Sequence, residues 1–246
     1  MSHIVRRVPD TTVVHIKPAA DLAERVLLPG DPHRALAVAQ ELLDQPKMFN
    51  HHRGLWGYTG AAADGELLTI QATGMGGPSA AIVIEELIVL GARTFIRIGT
   101  SGALTEELSI GDVVAVERAL AADGASAALG ADGEVLPDPE LTAALRSACG
   151  GHAVTAVSSD LFYDRRAEVE DCWRERGASV VEMEAATVFQ LGAVHGVRTA
   201  CVLGVSDQLG GGRRRIGAEK LAELGLRLGE VGFAALERAG STRPTR

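Results

Sequence analysis

The chain has 246 residues, enough for one sizeable α/β domain with a substantial buried core. A formal net charge of −8 argues against a general nucleic-acid-binding surface, and at 4% aromatics any aromatic platform for a ligand is local. Hydrophobic residues make up 46%, yet the most apolar stretch, 78–90, is interrupted by Glu85 and Glu86 and is too short to span a bilayer.

The pattern of elements is predicted in chain order as follows. Residues 26–28 read as a short buried strand. Pro29-Gly30-Asp31-Pro32 is a turn, with Asp31 a candidate N-cap and Pro32 at the first position of a helix that runs to about 43. Strands follow over 56–60 and 67–73, the second ending in Gly74-Met75-Gly76-Gly77. Residues 79–90 form a helix apolar on most sides, which predicts burial. A strand over 93–98 feeds a loop, Gly99-Thr100-Ser101-Gly102, and another strand covers 112–116. Residues 121–139 are rich in Ala, Gly, Asp and Pro and read as an excursion loop. A strand over 154–157, a charged helix over 165–176 and a strand over 179–181 lead into a helix over 183–195. A strand over 197–205 ends at Ser206-Asp207. The segment Gly210 to Arg215 reads as mobile. In the last helix Leu221, Leu224, Leu228, Val231 and Ala235 recur at three- and four-residue spacing. No linker or internal repeat interrupts the pattern, which predicts a single α/β domain over 1–246.

Three cysteines without a CxxC pair read as reduced thiols, and the N-terminal residues lack the apolar core of a signal peptide; both favour a cytoplasmic location.

Several segments carry candidate chemistry. Glu182-Met183-Glu184 lies where a strand gives way to a helix, the place where α/β proteins build sites. Carboxylates accept hydrogen bonds and repel anions, so this pair suits vicinal hydroxyls. Three other segments suit an anion: Gly30 to Arg34 at a helix N-terminus, Arg97 to Gly102 at a strand end, and Arg53-Gly54 in a turn. Guanidinium forks suit phosphate because they donate two parallel charge-assisted bonds. The chain has no GxxxxGK[ST] and no GxGxxG, which argues against nucleoside triphosphates and nicotinamide cofactors.

Taken in order, Pro29-Gly30-Asp31-Pro32-x-Arg34-Ala35, Arg53-Gly54-x-x-Gly57-Tyr58-Thr59-Gly60, Gly74-Met75-Gly76-x-Pro78-Ser79, Arg97-Ile98-Gly99-Thr100-x-Gly102, Ser159-Asp160-x-Phe162-Tyr163, Val181 to Ala186 and Val205-Ser206-Asp207 resemble the nucleoside phosphorylase-I family across nearly the whole chain. The resemblance implies a three-layer α/β/α domain around a mixed, partly barrel-like sheet. It implies phosphorolysis of a nucleoside to free base and ribose 1-phosphate, with inorganic phosphate as co-substrate and no metal or organic cofactor. It also implies a homo-oligomer, a hexamer built as a trimer of dimers, with each active site shared across the dimer. The partners are then a small nucleoside and phosphate, with neither nucleic acid nor membrane.

By the same resemblance, phosphate is held by Gly30, Arg34, Arg97 and Thr100, with Arg53 supplied by a neighbouring subunit. Glu184 anchors the ribose with Met183 packed on it, and His15 reaches the ribose 5′-hydroxyl across the dimer. Glu182 either assists at the sugar or faces a structural partner. The base lies against Phe162, Val181, Ser206 and Asp207, and Asp207 protonates purine N7 as the glycosidic bond breaks. The family's purine branch aligns this aspartate with an arginine; here Lys220 stands in that pattern, leaving Lys220 or one of Arg213, Arg214 and Arg215 as the cation. Asp207, and the lack of a uracil-reading insertion after Tyr163, favour purine nucleosides. The competing readings are a 5′-methylthioadenosine or other 5′-modified adenosine phosphorylase, a uridine phosphorylase, a nucleoside hydrolase and a non-enzymatic nucleoside-binding protein.

Overall fold

The computed structural model describes residues 13–166, 168–209 and 214–241. Strand β1 (Arg25–Leu28) leads through a turn into α1 (Pro32–Leu42), and the Asp31 side chain accepts from the His33 amide as its N-cap. Strands β2 (Asp44–Asn50), β3 (Gly57–Ala61) and β4 (Leu67–Gln71) follow, then α2 (Gly77–Leu90) and β5 (Thr94–Ala103). Next come β6 (Val113–Ala122), α3 (Gly124–Ala128), β7 (Glu134–Val135), α4 (Pro139–Ala148), β8 (Ala153–Ser159) and α5 (Val169–Glu175). The chain closes with β9 (Val180–Glu182), α6 (Ala185–His195), β10 (Arg198–Gln208), β11 (Arg214–Arg215) and α7 (Ala218–Ser241).

The sheet is mixed and divides at β5. The first residues of β5 pair with β1, with Leu28 opposite Arg97, and β1 continues through β4 and β3 to β2. Its last residues, Gly102 and Ala103, pair on that edge with β9 instead. On its other edge β5 pairs along its length with β10. Strands β5, β9, β8, β6 and β10 thereby close a five-stranded ring.

Alternation along the strands serves two cores. Phe95 of β5 and Cys201, Leu203 and Val205 of β10 join one cluster with α2 and α6. Ile96 and Ile98, with Ala200 and Val202, join the other, with α1, α4 and α7. Sheet between two helical layers is the expected three-layer architecture. The predicted periodicity of the last helix is seen in α7, where Leu224, Leu228, Val231 and Ala235 are buried.

Several expectations are corrected. Gly99 to Gly102 is not a loop but the continuation of β5, because β10 pairs with it throughout. The excursion over 121–139 contains α3 and β7, and α4 follows where no helix was expected. Its signals are local: Asp138 caps the Leu141 amide, Pro139 opens the first turn, and Leu141 and Leu145 are buried four apart. Strand β2 was also unexpected; it is a polar edge strand containing Pro46, so its sequence lacks strand character. Helix α5 is shorter than predicted, and on α2 the side chains of Ile82 and Val89 are exposed despite its apolar sequence.

Candidate active site

A cleft of about 1110 Å³ opens beside the division in the sheet, at the C-terminal ends of β1 and β5. Strands that part there leave backbone and side chains facing a crevice, the usual origin of sites in α/β folds. Gly30, Arg34, Arg97, Thr100, Phe162, Val181, Glu182, Met183, Glu184, Ser206 and Asp207 all line it.

Its centre is a buried ionic cluster. Arg97 on β5 donates from Nε to Glu182 Oε2 at 2.9 Å, and its Nη2 lies 2.5 Å from Glu184 Oε2. The side chain can lie flat against its own strand because position 99 is glycine: a Cβ there would stand 2.6 Å from Arg97 Nη2. Burial alone would lower the Arg97 pKa, but the fields of Glu184 and Glu182 outweigh it and hold it above its ordinary value. Glu184 is shifted up by burial, with the charge of Glu182 adding and that of Arg97 opposing.

The two glutamates differ in what remains to them. Glu182 Oε1 accepts from the Ser158 hydroxyl and the Ala185 amide, while Oε2 accepts from Arg97 and from the Glu184 and Ala185 amides. Its four lone-pair directions are filled. Among the described residues Glu184 accepts from the Gly76 amide, at 2.5 Å, and from Arg97, which leaves one acceptor site on each of its oxygens. Ser158 and Gly76 are contributors that sequence reasoning missed. Gly76 belongs to the Gly74-Met75-Gly76 segment; nothing local to Ser158 marks it.

Arg34 extends from α1 toward the same cluster, donating to the Ile98 carbonyl at 3.3 Å. Burial and the nearby charge of Arg97 both lower its pKa. Gly30 packs against the loop after β4, where a Cβ would stand 3.1 Å from the Gly74 carbonyl. The Ser101 hydroxyl, in the same wall, is buried without a hydrogen-bond partner among the described residues.

The other end of the cleft is built on β10. Its register against β5 shifts between Val205, opposite Ser101, and Asp207, opposite Gly102. Ser206 is the extra residue of this bulge, and such bulges re-aim the side chains that follow. Asp207 is 3% exposed; Ser206 Oγ donates to its Oδ2 at 2.8 Å. Arg215 on β11, opposite Asp207 in register, brings Nε within 3.2 Å of Oδ1, and its guanidinium also lies 5.7 Å from the Phe162 ring centroid. Of the cations considered from sequence, Arg215 is therefore in contact with Asp207. Arg214 donates to Gln208, Lys220 is exposed on α7, and Arg213 lies outside the described residues. Phe162 is not a core aromatic: it is 43% exposed and meets Tyr163 edge to face.

His15 and Arg53 do not line the cleft of their own chain. The His15 Nδ1 lies 2.8 Å from Glu86 on α2, whose carboxylate also accepts from the amides of Val14, His15 and Ile16. Arg53 is exposed in a turn with φ 59° and ψ 18°, a left-handed conformation uncommon for arginine and shared here by Gln45 and Glu168. Among the described residues, no group of three or more His, Cys, Asp or Glu is placed to hold a metal ion, and no helix is long and apolar enough to cross a membrane.

Residues 24–228 match the family model described as the phosphorylase superfamily. The chain belongs to that superfamily. A DeoD-type purine nucleoside phosphorylase of Jannaschia sp. (strain CCS1) is 38% identical over 205 residues, covering 80% of this chain and 87% of the relative. A guanosine phosphorylase of Halorubrum lacusprofundi is 35% identical, with 83% and 86% covered. A uridine phosphorylase of Treponema pallidum is 38% identical, with 75% and 78% covered. Every cleft element from β1 to β11 falls within the superfamily match.

Proposed function

We propose that this member of the phosphorylase superfamily is a purine nucleoside phosphorylase. The observation that carries the reading is the pairing of Asp207 with Arg215 beside Phe162, at one end of a cleft whose middle holds Arg97 and Glu184. Phosphate binds between Arg34, Arg97, Thr100 and the Gly30 backbone, and is oriented below C1′ of the nucleoside. Positioning of this kind makes a bimolecular collision effectively unimolecular. Glu184 accepts from the ribose diol with its two remaining lone-pair sites, and Met183 packs on the sugar. Phe162, Val181 and Ser206 hold the base.

A phosphate oxygen forms its bond to C1′ as the bond from C1′ to the base nitrogen breaks, and the departing electron pair stays on the base. Asp207 gives its proton to N7 as that charge develops, and the Glu184 carboxylate and the phosphate favour the positive charge near C1′. The products are free base and ribose 1-phosphate. No metal or organic cofactor takes part; phosphate is the co-substrate.

The working unit is a homo-oligomer in which a neighbouring copy contributes His15 and Arg53, and we place it as a hexamer of three dimers. The exposure of Arg53 in a strained turn, of Ile82 and Val89 on α2, and of Met48 on β2 supports this. The three free cysteines support a cytoplasmic location.

The test is base release from inosine, adenosine, guanosine, 5′-methylthioadenosine and uridine, each with and without phosphate. Phosphate-dependent release of the purine base from inosine, guanosine or adenosine is the expected result. Equal release without phosphate would make the protein a hydrolase, and no release with retained binding would make it a nucleoside-binding protein. A preference for uridine or for the methylthio substrate would overturn the purine nucleoside assignment.

A further inference from the structure

We propose that Glu182 does not touch the sugar but is a positioning residue that acts through Arg97; the role rests on reading this cleft as a phosphate-using site. Its side chain is 0% exposed, and its carboxylate joins four elements. It takes Ser158 from β8, Arg97 from β5 and the first amides of α6, while the residue itself ends β9. With all four lone-pair directions filled, a sugar hydroxyl could enter only by displacing a buried partner.

What Glu182 controls is the orientation of the Arg97 fork. A guanidinium has five N–H donors fixed in one plane. Glu182 takes the Nε proton and Glu184 takes one from Nη2, so three remain for a ligand. Without the Nε bond, the fork is free to rotate onto Glu184 and form a bidentate pair, the favoured geometry for arginine and carboxylate. An end-on pair of this kind engages both Nη nitrogens, so three N–H groups would still be left, but one of them would be the Nε proton, which now faces Glu182, in place of an Nη donor offered to phosphate. By holding Nε, Glu182 keeps Arg97 shared between a carboxylate and the cleft. Lysine at 97 would keep the charge but, as a compact ammonium, could not bridge both glutamates in this way.

The test is a double-mutant cycle read by phosphate affinity, using calorimetry on the full chain, together with the phosphate KM in base release. Glu182→Gln is expected to weaken phosphate binding about tenfold, the scale of a lost charge-assisted hydrogen bond. In an Arg97→Ala background the same substitution should change phosphate affinity by less than about twofold. Unchanged phosphate affinity in Glu182→Gln would overturn the proposal, since a residue that touches only the sugar gives that result; so would a penalty that persists in full without Arg97, because a purely structural role would survive the loss of that side chain. Arg97→Lys gives a second route if Glu182→Gln does not fold: it should weaken phosphate as strongly, and wild-type affinity in that variant would also overturn the role. If the wild type binds phosphate but releases no base, the phosphorylase reading falls while the coupling is still measured; if it binds no phosphate, both fall.

Discussion

Arg215 touches both groups proposed to meet the base: it holds Asp207 by one oxygen and lies over the Phe162 ring. Asp207→Ala should lower turnover on inosine by about 10²–10⁴, the range for losing a positioned general acid. Turnover near wild type would remove the acid role. Glu184→Gln separates sugar binding from the rest. Its loss in kcat/KM should be larger for inosine than for 2′-deoxyinosine, since only the ribonucleoside offers a 2′-hydroxyl to the carboxylate. Equal losses on the two substrates would count against the ribose anchor.

At the scale of elements, close approaches position these side chains. Gly99 lets the Arg97 guanidinium lie against β5, and that guanidinium is held by two carboxylates, so it cannot swing aside freely. Gly99→Ala should therefore raise the phosphate KM severalfold, while the strand itself tolerates alanine; an unchanged KM would show that the fork is not held in place. Segment 14–16 depends on α2 through Glu86. Burial alone would raise that carboxyl, but the amides of Ile16, His15 and Val14 and the His15 ring outweigh it, and its pKa lies below the ordinary value. A lowered acid pKa means stabilisation present above the unfolded value and lost as pH falls through the folded one. The wild type should thus exceed Glu86→Gln in stability by ~1–3 kcal/mol near neutrality, a margin that closes as pH drops below the ordinary glutamate range. Urea unfolding across that range measures it, and a margin independent of pH would refute the clamp.

For the whole molecule, the proposed sharing of the site between subunits makes a direct prediction. Arg53→Ala and Asp207→Ala chains, each strongly impaired alone, should regain activity when unfolded together and refolded. About a quarter of the sites would then pair an intact Asp207 with a neighbour's intact Arg53, by random assortment within two-fold dimers. No recovery would argue that each chain uses its own Arg53.

The division between sequence and tertiary structure runs along the range of the interactions. Strand alternation, the Asp31 and Pro32 helix start and the apolar face of α7 are legible because each depends on neighbours within a few residues. The glycines, arginines and carboxylates suited to a sugar and an anion were legible for the same reason. Strand β2 was not, since a polar edge strand is made by the partner it pairs with, and the extension of β5 through Gly99 was not, since β10 supplies its pairing. The resemblance assigned Glu184 to the ribose, but the sequence left open whether Glu182, two positions earlier, meets the sugar or a structural partner. Arg97 meets Glu182 across 85 positions, and the Gly76 amide meets Glu184 across 108. Hydrogen-bond capacity is finite, so only the fold, by bringing those distant donors together, decided that Glu182 is consumed internally and Glu184 left open.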